Sequence, residues 1–153
     1  MKKKKIIIII VILVLVLITL LIKLILPNDF YILYNYHILI PNSNEVKTVY
    51  ESIGRDHISF EIYSYNEKKI NNIIKSKKFK EINSESDINQ AKQIFNKVVS
   101  SFYKFKELSE QNFDKNNLIS SGNYYYFKEI NKQDCIFILL DKTDYKVYVF
   151  ILN

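Results

Sequence analysis

The feature that most constrains this chain is an apolar run from Ile6 to Leu26, in which only Thr19 and Lys23 are not apolar. At about 1.5 Å per residue these 21 residues make a helix of roughly 31 Å, close to the ~30 Å hydrocarbon thickness of a bilayer. Ile and Val are mediocre helix formers in water, but in lipid every backbone group has to be bonded within the segment, so a helix is expected. Lys2, Lys3, Lys4 and Lys5 precede the run, whereas the stretch from Lys23 to Glu45 carries only Lys23, Asp29 and Glu45. The positive-inside rule then puts the N-terminus in the cytoplasm, with the Lys23 ammonium reaching the outer interface along its own stem. The expectation is a single-pass signal anchor at the cell membrane. Residues 1–27 form the lysine cluster and transmembrane helix, held in the lipid bilayer through residues 6–26, and residues 28–153 form one extracytoplasmic domain.

A cleaved secretory signal is the rival reading, since it also begins with positive charge followed by an apolar core. Such cores are usually about 7–15 residues long and end at small residues. This run is longer and continues as Leu24-Ile25-Leu26-Pro27-Asn28-Asp29-Phe30-Tyr31, which offers no Ala, Gly or Ser to the subsites of a signal peptidase. No Cys lies near its end, so lipoprotein processing is not supported either.

Charge narrows the function classes. Removing Lys2, Lys3, Lys4, Lys5 and Lys23 from the 22 basic residues leaves 17, against 16 acidic ones in the same stretch. The domain is nearly neutral, and the electrostatic case for nucleic-acid binding fails. One local run, Lys75, Lys77, Lys78 and Lys80, suits either an anionic headgroup or wall polymer, or simply a solvated helix end. The 12 Tyr and 10 Phe all follow the anchor. They fit a sugar-binding or interface surface, but also an ordinary core in a chain shaped by an AT-rich genome, in which Ala, Arg and Trp are almost absent.

Catalytic patterns are missing. Gly54 and Gly122, the only glycines, cannot build a P-loop, a dinucleotide fingerprint or a nucleophile elbow. His37 and His57 lie 20 residues apart without zinc-ligand spacing, so neither a metal nor a cofactor is expected. Cys135 is the only cysteine; it excludes an internal disulfide and opens an apolar run in which a thiol behaves as a small buried hydrophobe.

The pattern of elements points to an α+β domain with helices packed on a mostly antiparallel sheet. Tyr31 to Ile40 reads as a first strand or as an extended juxtamembrane stalk, followed by a turn at Pro41 to Asn44. Ile58, Phe60 and Ile62 alternate with polar residues as a half-buried strand does. Asn66 to Ser76 predicts a short helix capped by Asn66. A longer helix follows with a stripe from Ile88 through Ala91, Ile94, Phe95, Val98 and Val99 to Phe102 and Phe105, capped by Ser84 or Ser86. Asn112 to Asn123 reads as a loop. Tyr124 to Glu129, Cys135 to Asp141 and Tyr145 to Leu152 then form a closing meander, with the middle strand apolar on both faces and so central.

The succession of Ile58 to Ile62, a Lys-rich helix, Asn123 to Phe127 and the hairpin Cys135 to Phe150 resembles a group of small exported or membrane-anchored proteins of low-GC bacteria. The likeness covers roughly residues 50–152. It implies export and a small domain, and it supplies no reaction, substrate or cofactor.

One segment stands out chemically. Gly54-Arg55-Asp56-His57 holds the only arginine, one of the two glycines and one of the two histidines. Arg55 offers a planar fork for an anion, Asp56 can orient the His57 imidazole, and Gly54 permits a tight turn. Arg55, Asp56 and His57 are therefore a candidate binding site for an anionic group; a polar turn leading into the strand at Ile58 is the simpler account. Two function classes follow. The first is a non-enzymatic, membrane-anchored module that binds an envelope protein or a cell-wall polymer. The second is an envelope enzyme or cleaved secreted protein acting on a small anionic substrate.

Overall fold

The computed structural model describes residues 11–18, 32, 36–52, 58–100, 114–131 and 134–152. The chain divides into two compact units, residues 1–42 and 43–153.

In the first unit residues 11–18 are helical, and all eight side chains, Val11 to Ile18, are apolar and 45–63% exposed. The remainder of the expected span, including Lys2, Lys3, Lys4, Lys5 and Lys23, lies outside the described residues. Among the described residues no helix is long and apolar enough to cross a membrane. Among the described residues the strand expected over Tyr31 to Ile40 is not seen: Ile32 and Tyr36 are helical, and residues 37–43 have no regular structure. His37 has a φ of 55°, a left-handed conformation that interrupts an extended run. The β-branched and aromatic content there goes into burial instead, with Ile32, Tyr36, Ile38 and Ile40 all at most 4% exposed.

The second unit is an α+β domain built on one six-stranded antiparallel sheet. In chain order it runs β1 (Glu45–Ser52), β2 (Ile58–Ser64), α1 (Glu67–Lys75), β3 (Lys80–Glu81), α2 (Glu85–Ser100), α3 (Lys115–Leu118), β4 (Tyr124–Glu129), β5 (Cys135–Asp141) and β6 (Lys146–Leu152). The spatial order is β1-β2-β6-β5-β4-β3, and all five pairings are antiparallel. β5 and β6 are the two central strands, as the apolar run at Cys135 predicts, and every residue from Cys135 to Asp141 is buried.

Register puts one set of side chains under α2. Phe60 faces Phe150, which faces Phe137, so the three rings form a row across β2, β6 and β5. Phe60 and Phe150 stack at 4.4 Å, and Phe95 of α2 meets Phe150 edge-on at 5.7 Å. Ala91, Val98 and Val99 complete the α2 face of this core. The opposite face of the central strands is buried as well: Ile136, Ile138, Leu140, Val147, Val149 and Ile151 are at most 2% exposed.

Local chemistry sets the helix boundaries. Asn66 caps α1, its Oδ1 accepting the Lys69 N–H at 3.0 Å. At α2 the cap is Ser84. Its Oγ accepts the Asp87 N–H at 3.2 Å while Asp87 Oδ2 accepts the Ser84 N–H at 3.1 Å, a reciprocal capping box. Phe102 and Phe105, the end of the expected stripe, lie outside the described residues. The region expected as loop from Asn112 to Asn123 contains the one-turn helix α3, nucleated by Asp114, whose Oδ1 accepts the Asn116 and Asn117 N–H groups.

Candidate functional site

Arg55, Asp56 and His57 fall within residues 53–57, outside the described residues. What is fixed is the pair of ends they join: Ser52 of β1 lies opposite Ile58 of β2. The lysine run is split. Lys75 ends α1, Lys77 takes a left-handed φ of 58°, and Lys80 belongs to β3, where it is bound to α2 by Asp87 at 2.7 Å and Gln90 at 2.8 Å. Lys80 thus ties β3 to α2 while its side chain stays half exposed to solvent. Asp87 holds the Lys80 ammonium above its usual pKa, and Lys80, with Ser84, draws the Asp87 carboxyl down to about 2.

One depression lies where two turns, residues 117–123 and 141–144, meet at one end of the sheet. It has a volume of about 640 Å³ and is lined by Glu81 of β3, Asn117, residues 120–123 before β4, and residues 141–144 between β5 and β6. Two buried polar side chains build it. Asn123, 6% exposed, donates from Nδ2 to the Leu118 carbonyl at 3.1 Å and accepts the Lys142 N–H on Oδ1 at 3.1 Å. Its backbone continues the β3–β4 ladder: the Ile82 N–H donates to the Asn123 carbonyl at 2.9 Å, and the Gly122 N–H donates to the Ile82 carbonyl at 3.0 Å. Gly122 makes the corner with a φ of 90°, a conformation L side chains rarely adopt.

Asp141, 7% exposed, shapes the facing turn. Its Oδ1 accepts the Thr143 N–H at 2.9 Å and the Asp144 N–H at 3.2 Å, an Asx-type arrangement that ends with Tyr145 at a φ of 55°. Glu81, Asp141 and Asp144 bring three carboxylates to the groove against one ammonium, Lys142, alongside two amides and three hydroxyls. The groove is therefore a hydrogen-bonding surface with an acidic balance.

A second, smaller hollow of about 290 Å³ lies on the sheet surface. Register arranges its lining as two rows across three strands, Lys47-Ile62-Tyr148 and Glu45-Ser64-Lys146. Burial, reinforced by the negative charges of Asp141 and Asp144, pushes the Tyr148 phenol up to about 12, so it stays protonated at neutral pH.

Nucleophilic chemistry finds little footing among the described residues. Cys135 is buried, and burial followed by the nearby Glu129 charge raises its thiol to about 11, leaving almost no thiolate at neutral pH. No group of three or more His, Cys, Asp or Glu among the described residues is placed to hold a metal ion. The sequence flags Ser120-Ser121-Gly122-Asn123 and Lys142-Thr143-Asp144 as turns. Their meeting across the sheet end is set by the order β5-β4-β3, which no local pattern encodes. Comparison of the chain with protein-family models, curated proteins and solved structures finds no match.

Proposed function

We propose that the chain is a membrane-anchored extracytoplasmic binding module, non-enzymatic, that presents its α+β domain to a protein or polymer of the cell envelope. The observation that carries this reading is the helix at residues 11–18. Eight consecutive apolar side chains exposed at 45–63% are costly in water and favourable in lipid, at about 25 cal/mol for each Å² of apolar surface removed from water. The four lysines just before the apolar run agree with a cytoplasmic N-terminus.

A binding role is supported by how the polar groups of the second unit are used. Asn123 and Asp87 are committed to holding turns and caps, as is one oxygen of Asp141, and the thiol of Cys135 is buried and protonated. The groove edge offers side chains suited to hydrogen bonding rather than to bond breaking.

Carbonate extraction of membranes from cells expressing the full chain with a C-terminal tag tests the anchor, and protease added to intact cells tests the orientation. The tag is expected to stay in the membrane pellet and to be digested from outside. Release by carbonate, or a protected tag, overturns the reading.

A further inference from the structure

We propose that the exposed side of α1 and the turn after it rest on an anionic lipid surface, with the Phe79 and Tyr126 rings entering the headgroup layer beside them. This goes beyond the binding-module reading and rests on it in one respect, since the tether is what brings the domain to the lipid.

Charge is unevenly spread over the domain. Residues 67–81 hold six lysines against Glu67 and Glu81, leaving 11 basic and 14 acidic residues elsewhere in residues 28–153. Two of the six are engaged within the fold: Lys69 donates to Asn44 at 3.3 Å, and Lys80 is bound by Asp87 and Gln90. Lys68, Lys75, Lys77 and Lys78 are exposed. Among the described residues the ammonium groups of Lys68, Lys75 and Lys77 meet no hydrogen-bond acceptor or carboxylate. Lys68, Asn72 and Lys75 recur at helical spacing as one exposed stripe, while Ile70 and Ile73 are buried on the other side of α1. The left-handed turn at Lys77 follows directly, so basic charge continues past the helix end.

A solvated helix end accounts for Lys75, which suits the negative end of the helix dipole, but it asks nothing of the rings next to it. Phe79 immediately precedes β3 and lies 6.0 Å from Tyr126 of β4, and both rings are partly exposed. Strand alternation puts Tyr126 on the sheet face opposite Tyr125, which belongs to the core under α2. The ring pair is therefore not spent on that core. Lysines beside partly exposed aromatic rings match the boundary of a bilayer, where anionic headgroups overlie a layer that accepts amphipathic rings. A phosphate-rich polymer would satisfy the lysines and offer the rings nothing apolar. Each lysine contributes modestly at such a surface, which suffices for a domain already held at high local concentration by its tether.

The test reconstitutes the full chain, carrying an environment-sensitive dye on Ser76→Cys, into phosphatidylcholine vesicles with and without phosphatidylglycerol. A blue shift, and quenching by nitroxide-labelled lipid, are expected only with phosphatidylglycerol and should be reversed by salt. The ratio of docked to undocked domain should fall about tenfold or more in Lys68→Glu/Lys75→Glu/Lys77→Glu, whose side chains are exposed, and should also fall in Phe79→Ser with an unchanged circular dichroism spectrum. Equal quenching on neutral vesicles, or quenching that survives the lysine variant, overturns the proposal. So does the same blue shift produced by soluble poly(glycerol phosphate) on neutral vesicles, which would assign the face to a polymer. Flotation with neutral vesicles reports the anchor separately, so the two readings fail independently.

Discussion

Phe150 and Asn123 are both buried, at 0% and 6% exposure, yet they are held in different ways. Phe150 touches three other rings, Phe60, Phe95 and Phe137, at centroid distances of 4.4–6.1 Å. None of these contacts is directional enough to demand one residue type, and their sum scales with the apolar surface removed from water. Asn123 is held by hydrogen bonds from its own side chain and backbone to Leu118, Ser120, Ile82 and Lys142, each with one acceptable geometry. The centre of the domain is thus held by a graded force, whereas the groove end is held by a knot that is either tied or not.

The largest test of this contrast is truncation at the centre. Phe150→Ala should lower unfolding free energy by about 3–5 kcal/mol in urea titrations, and Phe150→Leu by a fraction of that, because the loss follows the volume removed. Equal losses for the two would show that the aromatic row, too, depends on specific geometry.

A smaller but sharper effect is expected at the knot. Asn123→Ala strands the Lys142 N–H and the Leu118 carbonyl and should cost about 2–3 kcal/mol. Asn123→Asp, which keeps the shape and loses the Nδ2 donor, should recover little of it. If Asn123→Asp behaved as wild type by thermal melting, the hydrogen bond to Leu118 would not be what closes the turn.

The smallest effect comes from charge, which pH can tune as it cannot tune the aromatic row. Asp87 fastens the start of α2 to Lys80, and its carboxyl is depressed from 3.8 to about 2. Its contribution is complete above the ordinary carboxylate pKa and is lost as pH falls through the folded-state value. The stability gap between wild type and Asp87→Asn, measured by urea midpoint, should be present near pH 5 and shrink toward zero by about pH 2. A gap that stayed constant would show that the loss does not come from the ionised carboxylate, and no gap at any pH would assign the cap to Ser84 alone.

The same contrast explains which parts of the molecule could be read in the sequence. β4 and β5 have the bounds expected, and α2 carries the expected stripe, because period-two and period-3.6 patterns record burial directly. β1 escaped because Val49 is a bulge between Thr48 and Tyr50: Val46 and Thr48 fall on one face, Tyr50 on the other, and the alternation cancels. β3 is two charged residues whose strand character is conferred by β4. The groove was legible only as a set of turns. Asn123 and Asp141 look like any turn formers in sequence, and their burial follows from which strands become neighbours.

Lys77 and Tyr145 turn the chain with φ values of 58° and 55°, in a sequence that has only two glycines. A left-handed conformation costs a side-chain-bearing residue about 1–2 kcal/mol that glycine would not incur. Lys and Tyr are spelled by AT-rich codons and glycine by GC-rich ones. Composition thus reaches into backbone angles, leaving two bends where this domain holds less stability than glycine would allow.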